Sequence, residues 1–315
     1  MRSIWTMGEM IVEIMRPRED MPLDAADVFL GPYPSGAPAI FADTVAKMGK
    51  KSGIIGGVGK DDFGKCLLER LQEHGVDCRF VNQMEGCSTG VAFVTYFSNG
   101  DRKFIFHIGN TPAAKVESPD ISGIEAPSFF HLMGCSLTAK ESFYKEIIKT
   151  LYKFIDKGAK ISFDPNIRPE LIGKRSMSEF IGPVLENCSV LMPGVGELLN
   201  ITQADSVEHG LEKLFQNPKL EIVALKKGSQ GCSIYTREEQ FNLGVYPVTV
   251  KDTTGAGDSF DAAFLCGLID GLPLLECAKI ASAAAAINSA AFGPMEGLIS
   301  PESVKEMIDM GNSIV

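Results

Sequence analysis

The 315-residue chain has no run of the ~20 uncharged apolar residues that a membrane helix needs. Nor do its first residues place an apolar stretch behind a basic one, so neither a spanning helix nor a secretory leader is expected, and cytoplasmic residence is the default. A basic excess is also missing: 30 Lys and Arg stand against 40 Asp and Glu, a formal net charge of −10. Nucleic-acid surfaces work by neutralising phosphates with Lys and Arg, so any nucleotide bound here is expected to be small and locally held. The eight cysteines, Cys66, Cys78, Cys87, Cys135, Cys188, Cys232, Cys266 and Cys277, form no C-x-x-C pair. Neither zinc nor a disulfide framework is suggested, and they read as reduced core thiols. Tandem repeats, low-complexity tracts and long linkers are absent. What remains, 45% hydrophobic over this length, suffices to bury a large core in one large domain or two.

Helical and strand periodicities alternate along most of that length. Helices are expected near 38–48, 62–74, 139–156, 207–215, 257–271, 273–292 and 301–310, with short apolar strands at 54–55, 129–133, 161–163, 190–192 and 222–225. Such alternation predicts an α/β fold with a mostly parallel sheet wrapped by helices. The first strand is placed over 3–15 and followed by a Pro-rich polar stretch to Pro38. Residues 88–107 differ, because Val91, Phe93, Thr95 and Phe97, then Phe104 and Phe106, alternate about Asn99-Gly100, the pattern of a hairpin.

The densest chemistry lies in Asp252-Thr253-Thr254-Gly255-Ala256-Gly257-Asp258. A Gly-rich turn runs into an apolar helix here, with Phe260, Phe264, Gly267 and Leu268 on one face. Free backbone N–H groups and the positive end of the helix dipole favour an anion, and small residues let it approach the main chain. A carboxylate beside bound phosphate repels it unless it has another task. For Asp258 that task is to accept the proton of an attacking hydroxyl, with the amides of Gly255, Ala256 and Gly257 stabilising the developing charge. A plain helix cap is the competing explanation for an Asp at this place.

These residues resemble the C-terminal signature of the ribokinase-like carbohydrate kinases, often called the PfkB family. The likeness extends over Gly8-Glu9, Ser35-Gly36-Ala37-Pro38-Ala39, the segment 56–64 and Asp164-Pro165-Asn166-Ile167-Arg168. The resemblance implies one catalytic domain over 1–315, of ribokinase-like fold, with a small β lid from segments near 11–36 and 88–110. It implies ATP and Mg2+ as cofactors, a small sugar as substrate, and a homodimer formed through the lid. Glu13, Ser35, Gly36 and Arg168 fall where relatives bind sugar, although the family's Gly-Gly pair is Ser35-Gly36 here and a common sugar-binding Asn is Ile40. Lys227, Gly228 and Gly231 match the loop beside the nucleotide, and Asn288 a position near adenine. Glu197 matches the acid of an Asn-x-x-Glu motif that organises magnesium, but the Asn is Gly194. Asp252, with the Thr254 carbonyl and residues near Gly293, resembles a monovalent-cation site, hence K+.

Keto-acid sugar kinases of this kind place a Tyr-Arg pair in the second hairpin strand, where this chain has Phe106-His107. Imidazole grips a carboxylate less well than guanidinium, so a neutral ketose of fructose or tagatose type is expected, with His107 bonding its hydroxyls. A 2-keto-3-deoxygluconate kinase, a nucleoside kinase and a non-catalytic sugar sensor are the alternatives.

Overall fold

Every residue of strand β1 (Ser3–Met7) is buried, the condition of a strand covered on both faces in a parallel sheet. The computed structural model describes residues 2–99, 102–167 and 177–311, and the side chains of all of these but 177–179. In it β1 pairs in parallel with β4 (Lys51–Gly59) and β8 (Pro127–Met133). Beyond β4 lies β5 (Asp77–Met84); beyond β8 follow β9 (Lys160–Asp164), β10 (Cys188–Leu191) and β11 (Ile222–Lys226). The antiparallel β12 (Cys232–Tyr235) and β13 (Gln240–Leu243) complete a nine-stranded sheet.

Helices cover both faces. On one, α4 (Glu141–Asp156), with α5 (Met177–Leu185), α6 (Val195–Thr202) and α7 (Val207–Leu214), closes a core around Phe130, Phe154 and Phe163. On the other, α1 (Ala37–Lys47) packs with α8 (Ala256–Ile269) and α9 (Leu274–Ser289), whose alanines let the helices sit close around Phe41 and Phe264. The short α3 (Gly134–Thr138), α2 (Asp62–Glu73) and α10 (Pro301–Met310) complete the set among the described residues.

The strand expected over 3–15 is in fact two. The chain leaves the main sheet after Met7 and resumes as β2 (Ile11–Met15) in a four-stranded lid of order β3-β2-β6-β7. There β3 (Leu30–Ser35) and the hairpin of β6 (Gly90–Tyr96) and β7 (Arg102–His107) flank it. The hairpin was legible from its alternation, whereas β3, with two prolines in six residues, was not. The loop between β2 and β3 is organised by Arg16, which is fully buried. Its guanidinium donates to the carbonyls of Pro22, Ala25 and Val28 and lies 3.7 Å from the Phe29 ring centroid. One planar cation thus satisfies carbonyls that no strand pairs.

Beneath the main sheet's ligand-bearing edge, His131 of β8 is wholly buried, stacked at 4.0 Å on Phe41, with Nδ1 3.0 Å from the Ser162 hydroxyl. Burial pushes its pKa down to about 3, the Lys226 charge adding to the effect and Asp164 opposing it. The folded chain therefore refuses a proton that the unfolded chain takes up below its ordinary value of 6.5. His131 costs nothing above pH 6.5 and costs about 1.4 kcal/mol for each further unit of acidification toward pH 3. The unfolding free energy of the His131→Gln variant, followed by urea titration between pH 6.5 and 4, is expected to fall less steeply than that of the parent, by about one proton's worth of slope.

Candidate active site

Parallel α/β sheets gather ligands at the carboxyl ends of their strands, and this chain places its polar residues there. Glu9 follows β1, Asp164 ends β9 with Asn166 just beyond, Gly194 follows β10, and Lys226 ends β11. With the lid strands above, they enclose a cavity of about 190 Å³. That is smaller than the roughly 300 Å³ at which drug-sized pockets begin, and suits a small polar ligand.

One wall is set by the lid. Glu13 and Ser35, buried on neighbouring antiparallel strands, are joined by a hydrogen bond of 2.6 Å from the Ser35 hydroxyl to Glu13 Oε1. Gly36 follows with φ +102, and a Cβ there would stand 2.5 Å from the Glu9 carbonyl oxygen, so only glycine lets the chain turn into α1 at this distance. Glu9 itself lines the cavity and accepts hydrogen bonds from Ser136 Oγ at 2.5 Å and Cys135 Sγ at 3.1 Å. From β7, Phe104 and Phe106 stack on each other at 5.2 Å and present an apolar wall, joined by Arg102.

The opposite wall is the start of α8. Gly255 caps it in the left-handed conformation, φ 80, and Asp258 stands in its first turn, 8% exposed. Asp258 Oδ1 accepts a hydrogen bond of 3.3 Å from Asn166 Nδ2. Asn166 is itself held by a backbone bond to Asp164 and has φ 35, a conformation asparagine tolerates. Below the turn, Asp252 receives the backbone N–H groups of Thr254 at 2.9 Å and Gly293 at 3.1 Å. From above, Tyr96 Oη lies 3.3 Å from the Thr254 hydroxyl and Arg102 Nη1 donates to it at 3.1 Å, so the lid touches the anion turn directly. Burial, reinforced by the Asp252 charge, pushes the Tyr96 phenol well up, and it stays neutral.

Across Gly257 opens a second cavity of about 550 Å³, with Gly228 and Gly231 at one end and Tyr246, Val248, Ala285 and Ala286 along a mainly apolar wall. Ala256 lines this side and Gly255 the first, while Gly257 lines both. Lys226 also faces both. Its ammonium donates to Asp164 at 2.8 Å and to the two oxygens of Asp261 at 3.2 and 3.1 Å. Burial opposes that charge, but the two carboxylates more than compensate and raise its pKa. Asp164, although buried, is held below the usual carboxylate range by Lys226, while burial and the neighbouring Asp164 charge push Asp261 well above it.

Glu197 lines the first cavity, but its Oε2 accepts from Gly194 N and its Oε1 from Ile167 N, both at 2.8 Å. Burial, then the Asp164 charge, raises its pKa. No cluster of three His, Cys, Asp or Glu side chains suited to a metal occurs among the described residues. That donor set fits Mg2+ only in the manner that ion favours: few protein ligands, with water and phosphates supplying the rest. Of the residues expected to hold a monovalent cation, Asp252 accepts the Thr254 N–H, and the Thr254 carbonyl accepts from Asn288 Nδ2 at 2.8 Å.

Most of the described residues singled out in the sequence are therefore brought together, with three exceptions. Asn288 is 1% exposed and braces the anion turn instead of lining the second cavity, because its helix turns that face inward. Lys227, just past the end of β11, lines neither cavity and bonds Asn242 Oδ1 at 3.2 Å. His107, opposite in parity to Phe104 and Phe106, is exposed on the outer face of β7, its ring 6.1 Å from that of Phe93. Arg168 lies outside the described residues. Sequence reading missed Lys226, Asp261, Asn166 and Arg102. For Lys226 the signal was available, since a lysine closing the apolar run Ile222–Lys226 is costly unless paired.

The chain is 29% identical over 316 residues to the probable fructokinase-4 of Arabidopsis thaliana, covering 97% of this chain and 96% of that one. It is 31% identical over 276 residues to the fructokinase of Solanum tuberosum, covering 87% and 83%. A putative ribokinase II from E. coli, solved in complex with ATP and Mg2+, superposes with a TM-score of 0.91 at 35% identity, over 98% of this chain and all of that one. The profile of the pfkB family carbohydrate kinases matches residues 1–300, and the chain belongs to that family.

Proposed function

We propose that the protein transfers the γ-phosphoryl group of ATP to a hydroxyl of a small neutral ketose, of fructose or tagatose type. The observation that carries this reading is the placement of Asp258 and the anion turn between a small polar cavity and a larger apolar one. The sugar lies against Glu13, Ser35 and Gly36, where a carboxylate and a main-chain turn accept hydroxyl protons, while Phe104 and Phe106 cover its C–H face. Asp258, oriented by Asn166, takes the proton of the attacking hydroxyl, and the amides of Gly255, Ala256 and Gly257 receive the phosphoryl charge. Mg2+ would neutralise the triphosphate, and Glu197 is the carboxylate that would hold it, through water. Asp252 and the Thr254 carbonyl are the groups that would hold K+. The relatives' names, fructokinases of plants, support the ketose.

One observation favours a second reading. Arg102 lines the sugar cavity, and its guanidinium is the kind of group that grips a carboxylate, so a keto-acid sugar such as 2-keto-3-deoxygluconate is the competing acceptor. Dimerisation belongs to the lid, which leaves Leu30 and Ile105, with Val28 in the loop before β3, exposed.

Coupled ADP release with ATP and Mg2+, measured on fructose, tagatose, ribose, 2-keto-3-deoxygluconate and adenosine, tests the assignment. The largest kcat/KM is expected with a neutral ketose, and the rate is expected to fall when K+ is replaced by a bulky organic cation. Preference for the keto acid transfers the assignment to Arg102 and the second reading; equal rates in the two salts remove K+ from it.

A further inference from the structure

We propose that Lys226 is a catalytic residue of the phosphotransfer, the cation that meets the phosphoryl group as it crosses from nucleotide to sugar. This inference rests on the phosphotransfer reading above. Arg102, Lys226, Thr253 and Gly257 are common to the two cavities, and a group passing between donor and acceptor must cross the wall they form. Within that wall, the Lys226 ammonium stands 3.7 Å from the point a Cβ on Gly257 would occupy. The bare glycine thus leaves a gap, floored by an ammonium, beside the amides of the anion turn.

Stability does not explain a lysine here. A buried ion pair gives little net stabilisation compared with well-packed apolar residues, and this one brings Asp164 and Asp261 below the surface with it. The carboxylates fix the ammonium in place, and the side chain keeps 18% of its surface open toward the cavities. Next door, Gly194 forms a lone parallel bridge with Lys226 and offers no side chain to the phosphates.

In the transfer, the acceptor oxygen forms a bond to the γ-phosphorus while the bond to the β,γ-bridging oxygen breaks and its electron pair leaves with ADP. The hydroxyl proton goes to Asp258. Lys226 remains protonated throughout, donating to a γ-phosphoryl oxygen of the bound nucleotide and keeping that contact as the group crosses to the sugar.

Nucleotide binding separates this role from a structural one. The Kd values of AMP-PNP and ADP, both with Mg2+, are measured by calorimetry on the parent, on Lys226→Met, and on Lys226→Met combined with Asp164→Asn, which removes the ammonium together with a carboxylate it neutralises. Thermal melting confirms that the double variant folds. Loss of the γ-phosphate contact is expected to weaken AMP-PNP about tenfold to a hundredfold, the usual worth of one charge-assisted hydrogen bond, and ADP less than threefold. Equal weakening of both nucleotides, or of neither, in the folded double variant overturns the inference while leaving the kinase reading intact. Failure of the parent to bind either nucleotide overturns both.

Discussion

Replacing Asp258 with asparagine is expected to cut turnover by roughly 10²- to 10⁴-fold, the range of a lost general base, with sugar and nucleotide still bound. The side chain is 8% exposed, faces the smaller cavity and is steadied through Oδ1 by Asn166. Asparagine keeps the shape and both polar atoms but accepts no proton at neutral pH. A mere capping role predicts something else: loss of an acidic group from the first turn of α8 costs about 0.3–1 kcal/mol of stability and leaves kcat nearly unchanged. Steady-state kcat, sugar affinity by calorimetry and a melting curve on the same preparation separate the two. A kcat within tenfold of the parent would remove Asp258 from the chemistry.

The Gly255→Ala variant is expected to lose at least 10²-fold in turnover, comparable to removing one donor from an oxyanion hole. Gly255 has φ 80, and a Cβ there would stand 2.4 Å from the Pro294 carbonyl oxygen and 3.1 Å from Asn288 Nδ2. Alanine is strained in that conformation by about 1–2 kcal/mol, and the collision is with backbone, which yields only by moving the turn. Relief therefore displaces the amides of Ala256 and Gly257 and the carbonyl of Thr254 that Asn288 braces. The melting temperature falls as well, but the diagnostic result is a folded protein whose kcat collapses. Undiminished turnover in a folded G255A would show that the amides of this turn do not hold the phosphoryl group.

The helices that pack through a clear apolar face were legible from periodicity: residues 301–310 match α10, and 62–74 overlies α2. The anion turn was legible because Gly255, Gly257 and Asp258 carry their chemistry in the residue types themselves. Strand β5 was not, since most of its residues are only partly buried and its pattern lacks an apolar alternation. The β12–β13 hairpin escaped for want of length, whereas α5 and α6 were not expected although they are no shorter than α7, which was. Within the site, His107 was placed on the right strand, but which face a residue takes depends on register, and one step reverses it. Lys227 lies past the end of β11, where no strand alternation sets its direction. The surroundings of Asn288 were hidden for another reason: a helix surface amide and a buried brace look alike until the partner, the Thr254 carbonyl, 34 positions earlier in the chain, is brought beside it.

Thr254 is held at once by the lid, through Tyr96 and Arg102, and by the floor of the anion turn. On the proposed reading the sugar binds the lid through Glu13 and Ser35 and the triphosphate fills the turn, so the two ligands act on one residue, Thr254, the lid through its hydroxyl and the turn through its carbonyl. Their binding free energies are then not independent. Whatever factor the sugar contributes to the affinity for nucleotide, the nucleotide returns to the sugar, because the two paths to the ternary complex close a thermodynamic cycle. Water, which brings no contact to the lid, gains nothing from such coupling, so transfer to the sugar is expected to outrun hydrolysis without any residue devoted to the purpose.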